Sequence, residues 1–135
     1  MNNIEELIPQ RAPIVMVDDF IGMKDDISYT GLTIENDNVF VNDGVLTECG
    51  VIEHIAQSAA ARNGYIFRKN NEEVPVGYIA SVNNFTISRL PRVGETLKTS
   101  IEILKDVLNI TLIEARCRVE DEEIADCRMK IFLDK

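Results

Sequence analysis

Gly50-Val51-Ile52-Glu53-His54-Ile55-Ala56-Gln57-Ser58-Ala59-Ala60-Ala61 is the stretch on which the fold turns. It lies in the one segment that reads as a long helix, from about Glu48 to Phe67. Thr47 is the expected N-cap, Glu48 suits the helix dipole, and Gly64 and the polar Lys69-Asn70-Asn71 fall near the end. At ~1.5 Å per residue such a helix spans roughly 30 Å, enough to cross a whole sheet. Ile52, Ile55, Ala56, Ala59 and Ala60 give it an apolar stripe, and the small alanines let strands approach closely. A second, short amphipathic helix is expected over Asn3 to Ile8, before Pro9.

Downstream the chain is written in strands. Leu97, Thr99, Ile101 and Ile103 alternate with Lys98, Ser100 and Glu102; Ile113, Ala115, Cys117 and Val119 with Glu114, Arg116 and Arg118; Ala125, Cys127, Met129, Ile131 and Leu133 with Asp126, Arg128 and Lys130. That two-residue period belongs to half-buried strands. Glu120-Asp121-Glu122-Glu123 is short and polar, as a tight hairpin connection should be. Tyr78 to Ile87 is another strand, closed by Pro91 and Gly94, and Ile14 to Phe20, Tyr29 to Glu35 and Val39 to Val41 read as strands before the helix. One central helix with an antiparallel meander predicts an α+β structure in which the sheet wraps the helix. With 135 residues, a single domain over the whole chain, 1–135, is expected. One sheet around one helix leaves little interior, so a dimer is expected too.

Composition narrows the function. Hydrophobic residues make up 45% of the chain and charged residues 27%, with 6% aromatic and no Trp, which argues against disordered, collagen-like and disulfide-scaffold classes. The longest apolar runs are short or broken by Glu53, His54 and Gln57, so no membrane span is expected. Met1-Asn2-Asn3 followed by Glu5 and Glu6 does not read as a signal peptide, and a cytoplasmic protein is expected. Fourteen Lys and Arg against 23 Asp and Glu give a net charge of −9, which repels nucleic-acid backbones and anionic membranes. Arg89, Arg92 and Lys98 nevertheless form a loose basic cluster. Cys49, Cys117 and Cys127 lack CxxC or Cys/His spacing, so neither a disulfide framework nor a zinc site is expected, and Cys117 and Cys127 read as buried small hydrophobes. No Gly-rich phosphate loop or Gly-x-Ser-x-Gly elbow is present, and no cofactor or metal is expected.

Polar groups interrupt the central helix, and Glu53 and Gln57, four apart, share one face. Burial favours the protonated form of an unpartnered carboxylate, which is how a general acid or base near neutral pH is made. Glu53 is therefore a catalytic candidate; the alternative is a carboxylate at the helix surface or satisfied by a structural hydrogen bond. His54, the one histidine, is a second candidate, since an imidazole ordinarily titrates near ~6.5. It lies about 100° round the helix from Glu53, so the two side chains do not point at one spot, and a lone His is more often structural.

Ile8-Pro9-Gln10-Arg11-Ala12-Pro13-Ile14-Val15-Met16-Val17-Asp18 resembles the N-terminal Leu-Pro-His-Arg-x-Pro-x-Leu-x-Val-Asp of bacterial (3R)-hydroxyacyl-acyl carrier protein dehydratases. Glu53-His54-Ile55-Ala56-Gln57 is similar to their helix motif Glu-Ala-Met-Ala-Gln, and Val93-Gly94-Glu95-Thr96-Leu97 to their Pro-Gly-Asp-x-Leu turn. Three motifs in order cover nearly the whole chain and imply the hot-dog fold, an antiparallel sheet wrapped around one long helix. In that family the active site lies at a dimer interface, with a His from one subunit and a helix Glu or Asp from the other. The resemblance makes Glu53 the helix carboxylate and Gln57 the motif glutamine. The family's Gly-His-Phe-Pro loop is not matched: Phe40-Val41-Asn42-Asp43-Gly44-Val45-Leu46-Thr47 is shorter and has no histidine, and the His of the N-terminal motif is Gln10. This pattern is closest to the subgroup tied to aryl-polyene and flexirubin-type pigments.

Three functions follow from the resemblance. The first is dehydration of a 3-hydroxyacyl thioester to the trans-2-enoyl thioester, with Glu53 and His54 as catalytic candidates. Gln57 and the helix-start amides of Cys49 and Gly50 would then be substrate contacts, and a partner subunit would bring the missing His. The second is a thioesterase using Glu53, and the third a non-catalytic acyl-binding subunit. An acyl carrier protein is the expected partner, docking at Arg89 and Arg92, with the chain as a homodimer or paired with a His-bearing hot-dog subunit.

Overall fold

The computed structural model describes residues 3–134. After one turn of 3-10 helix over Ile4–Glu6, in place of the expected longer amphipathic helix, come β1 (Asp19–Lys24), β2 (Ile27–Thr33), β3 (Val41–Asn42), β4 (Val45–Leu46), α1 (Glu48–Lys69), β5 (Val76–Ile87), β6 (Thr96–Val107), β7 (Ile110–Val119) and β8 (Glu122–Asp134). Six strands form one antiparallel sheet in the order β1-β2-β6-β7-β8-β5, and β3 with β4 makes a separate hairpin. The sheet carries the helix on its inner face. This is the hot-dog arrangement implied by the sequence.

The alternation in the strands sets which side faces the helix. Leu97, Thr99 and Ile101 of β6, Ile113, Ala115, Cys117 and Val119 of β7, and Ala125, Cys127, Met129, Ile131 and Leu133 of β8 are all buried, while the charged residues between them face outward. Val51, Ile55 and Ala59 of α1 close this core from the other side. Ile52, Ala56 and Ala60, expected in the same stripe, are only half-buried and lie on a flank of the helix that the sheet does not cover.

Two expected boundaries moved for identifiable reasons. The helix runs two residues past the expected Phe67, to Lys69, where Asn71 takes a left-handed φ of 57° and the Glu72 N–H donates to the Phe67 carbonyl. Gly64 is needed inside the helix because a Cβ there would fall on the backbone of Leu7, which crosses α1 at that point. The strand expected from Ile14 begins only at Asp19, because Ile14 and Met16 run along α1 and bond to its side chains rather than to another strand.

The edges of the sheet differ. Both edge strands are bulged, β1 between Phe20 and Gly22 and β5 between Ile79 and Ser81 and again between Asn83 and Thr86, but β5 leaves Val76, Tyr78, Ile79 and Val82 exposed. An apolar edge strand of twelve residues invites pairing with another chain. Among the described residues no helix is long and apolar enough to cross a membrane.

Gly64→Ala is expected to lower stability by about 1–3 kcal/mol, the usual cost of forcing extra atoms into a packed contact. Gly31→Ala, whose added Cβ meets nothing nearer than 3.8 Å, is expected to be neutral or slightly stabilising. Urea unfolding midpoints of the two variants check both expectations.

Candidate active site

Two successive turns of α1 hold the N-terminal segment. Gln57, fully buried, accepts from the Met16 N–H through Oε1 at 2.6 Å and donates through Nε2 to the Ile14 carbonyl at 2.9 Å. His54, also fully buried, meets the Met16 carbonyl through Nδ1 at 2.7 Å. Side chains of the helix thus bond three backbone groups that a neighbouring strand would otherwise have to bond.

These bonds fix the orientation of the glutamine. Its oxygen must face the Met16 N–H, so both amide protons point away from it, one to Ile14 and the other to Glu53 Oε2 at 2.7 Å. Glu53 is half-buried, and its carboxylate lines a groove of about 240 Å³. The floor of that groove is the uncovered helix flank at Ala56 and Ala60, and one wall runs along residues 74–79 up to the edge strand. Gln10 and Asn63 also line it. Neither was singled out from the sequence as a site residue, although Gln10 stands where the related motif has a histidine.

His54 is enclosed differently. A carbonyl can only accept, so Nδ1 carries the proton and Nε2 is the acceptor for the Thr99 hydroxyl, 2.7 Å away. Thr99 has one proton, and the Cys117 thiol 3.2 Å away donates to it in turn. Burial pushes His54 down from 6.5 to about 4, against a smaller upward pull from its bond to Met16, so the ring is neutral near pH 7. Burial also raises Cys117 to about 12 and Cys127 to about 11, which keeps both as thiols in the core, as expected from the sequence. His54 does not line the Glu53 groove, and both its ring nitrogens are committed.

The other expected site residues are dispersed. Cys49 is exposed, and Gly50 is buried where a Cβ would meet Leu46 at 2.6 Å and Phe40 at 2.7 Å; neither lines the groove. Thr47 occupies the N-cap position without a side-chain cap bond. Residues 41–46, where the related loop carries its histidine, form a tight hairpin turned by Asp43 and Gly44 at φ 52° and 78°, and it is pinned by Val45 to Arg92. Arg89 is tied to Glu95 at 2.9 Å and Glu122 at 3.1 Å, which hold its guanidinium above its usual range and compensate its charge. Arg92 makes a longer ion pair to the same Glu95, at 4.0 Å, and with 65% of its side chain exposed it is the more accessible cation of the two. Among the described residues no group of three His, Cys, Asp or Glu is arranged to hold a metal ion.

The chain is similar to known proteins over nearly its whole length. The family model described as ApeP dehydratase, ApeP-like, matches residues 2–135. A 3-hydroxyacyl-[acyl-carrier-protein] dehydratase, FabZ, of Pediococcus pentosaceus is 25% identical over 136 residues, covering 96% of this chain and 89% of that protein. Among solved structures, the dehydratase heterocomplex ApeI:P from Xenorhabdus doucetiae superposes with a TM-score of 0.93 at 18% identity, covering 100% of this chain and 93% of the matched one. A hypothetical thioesterase with coenzyme A from Streptococcus pneumoniae superposes with a TM-score of 0.68 at 8% identity, covering 86% and 84%. At such identities the structural likenesses are of fold.

The His54 burial has a measurable consequence. Its folded-state value lies below its unfolded one, so the unfolded chain binds a proton first as pH falls. The stability associated with the neutral ring is complete above about 6.5 and is lost between there and about 4. The 2.5-unit gap corresponds to about 3 kcal/mol. His54→Asn is expected to be less stable at pH 7 through its lost hydrogen bonds, with the deficit shrinking as pH falls towards 4. Urea melts of both proteins across that range check the convergence.

Proposed function

We propose, from the premise that this chain belongs to the ApeP dehydratase family, that Glu53 is its catalytic carboxylate and that a second hot-dog subunit completes the site. The activity is dehydration of a 3-hydroxyacyl thioester, a hydro-lyase reaction. A base removes the proton alpha to the thioester carbonyl, an acid protonates the departing 3-hydroxyl, and water and the 2-enoyl thioester leave. Glu53 serves one of these transfers. Gln57 holds Oε2, while Oε1 has no hydrogen bond among the described residues, so the carboxylate meets substrate in one orientation.

The observation that carries the reading is the contrast between Glu53 and His54. The carboxylate faces a groove, while the histidine one residue later is neutral, fully buried and bonded at both nitrogens. His54 is accordingly a positioning residue that fixes Met16, and the second proton-transfer group comes from outside this chain. The groove suits such a contribution, because its wall at residues 77–79 belongs to β5, whose outer edge is unpaired. A partner strand laid along β5 would cover Ala56 and Ala60 and bring its own side chains over Glu53.

An acyl carrier protein is the proposed bearer of the thioester, in the cytoplasm. Carrier proteins are acidic and this chain has a net charge of −9, so docking needs a local cation that its own carboxylates do not compensate. Arg92 meets that requirement better than Arg89.

Glu53→Gln is expected to reduce dehydration at least a hundredfold with little change in the melting temperature, because an amide oxygen still accepts from Gln57. The assay compares this chain alone, with a His-bearing hot-dog partner, and as the variant, on a 3-hydroxyacyl carrier thioester. Low activity alone and restoration by the partner are expected; full activity alone that survives Glu53→Gln would overturn both assignments. Arg92→Glu is expected to weaken carrier binding and its salt dependence more than Arg89→Glu, as read by titration at two ionic strengths.

A further inference from the structure

Apart from the Tyr78 phenol on the β5 wall, the groove is polar in two places, and Glu53 accounts for one. At the other, Gln10 Oε1 is buried with no hydrogen-bond partner among the described residues. Asn63, half-buried, lines the same groove with its carboxamide unbonded within the described residues. Around them stand Leu7, Val74, Pro75 and Leu133, none of which offers a polar side chain. A buried polar atom left unpaired costs about 1–3 kcal/mol, and native structures keep few of them. Two carboxamides in an apolar wall point to a hydrogen-bonding ligand.

The distance between the two polar places follows from the helix. Asn63 is ten residues beyond Glu53, roughly 15 Å along the axis. The N-terminal segment runs against the helix in the opposite direction, with Leu7 at Gly64 and Ile14 at Gln57. Gln10 therefore comes alongside near the level of Ala60, roughly 10 Å from Glu53 along the axis. Between them the floor is Ala56 and Ala60.

We propose that Gln10 and Asn63 form a second polar pole that hydrogen-bonds a group carried by the acyl thioester about 10–15 Å from its reacting carbons. The inference rests on the reading of this groove as the thioester site. A carboxamide both donates and accepts, so it suits an uncharged partner such as a hydroxyl or an amide. Two parts of the substrate carry such a group that far: a polar substituent at the distal end of the acyl chain, or the second amide of a pantetheine arm.

Calorimetric titration of non-reacting thioether analogues separates these sources, using the full chain in the assembly in which it purifies. One pair of analogues differs only in a terminal hydroxyl on the acyl chain. The other carries the same acyl chain on pantetheine or on N-acetylcysteamine, which lacks the second amide. The wild-type protein is expected to bind the group-bearing member of one pair about tenfold more tightly, and that pair identifies the source. Gln10→Leu and Asn63→Leu are expected to shrink the preference to within about twofold while leaving affinity for the other member unchanged, a pattern that a merely structural role would not give. Binding without preference in either pair, or a preference that survives both substitutions, overturns the second pole, and the wild-type comparison decides this even where a variant misfolds. Failure of every analogue to bind would instead overturn the groove as the thioester site, and the inference with it.

Discussion

The structure depends on the bonding of Met16 by the central helix. Its N–H and C=O both point at α1, where Gln57 accepts from the first and His54 donates to the second. Buried backbone groups must find partners, and here the partners are two side chains one helical turn apart. That arrangement docks residues 14–18 along the helix, delivers the chain to β1 at Asp19 and closes one side of the core with Met16 itself. It also sets the chemistry, because Gln57, once fixed by Met16 and Ile14, has one proton left, and that proton orients Glu53.

A single stretch of helix therefore serves the fold and the site together. Residues 53 and 57 share a face, on which Gln57 is buried beneath and Glu53 lines the groove; residue 54, about 100° away, looks into the sheet. The sheet side is dry, and there the imidazole is neutral, with Thr99 and Cys117 extending its hydrogen bonds through the core. The groove side is half open, and there a carboxylate is tolerated. The same contrast separates Val51, Ile55 and Ala59, which are core, from Ile52, Ala56 and Ala60, which are not.

Much of the fold was legible in the sequence because strands buried on one face must alternate. The inward residues of β6, β7 and β8 are those that the two-residue period selects, and the helix start at Glu48 was equally clear. The N-terminal segment was not legible in the same way. Ile14 to Phe20 is apolar enough to be a strand, but its hydrogen bonds go to side chains distant in sequence, which no local pattern encodes. The role of Gly64 was hidden for a related reason, since a glycine needed for close approach to Leu7 looks the same in sequence as one near a helix end. Within the site, Glu53 and Gln57 could be paired from their spacing. The full commitment of His54, the compensation of Arg89 by Glu95 and Glu122, and the unpaired oxygen of Gln10 each depend on tertiary neighbours.

On the proposed reading one chain supplies a single acid–base group, and the geometry bears on why. Dehydration moves protons at two adjacent carbons of one substrate, and two groups working on it must converge from different directions. Consecutive residues of a helix diverge by about 100°, so the helix that presents Glu53 cannot present His54 to the same spot. The hairpin over residues 41–46, where the related loop carries its histidine, is held against residues 91–93, with none of its residues in the groove. The remaining open approach to Glu53 passes over Ala56 and Ala60 beside the unpaired edge of β5. The exposed edge of β5 thus lies beside the approach that a partner's reactive group would take on the proposed reading, so pairing along β5 would complete the sheet and the site in one event.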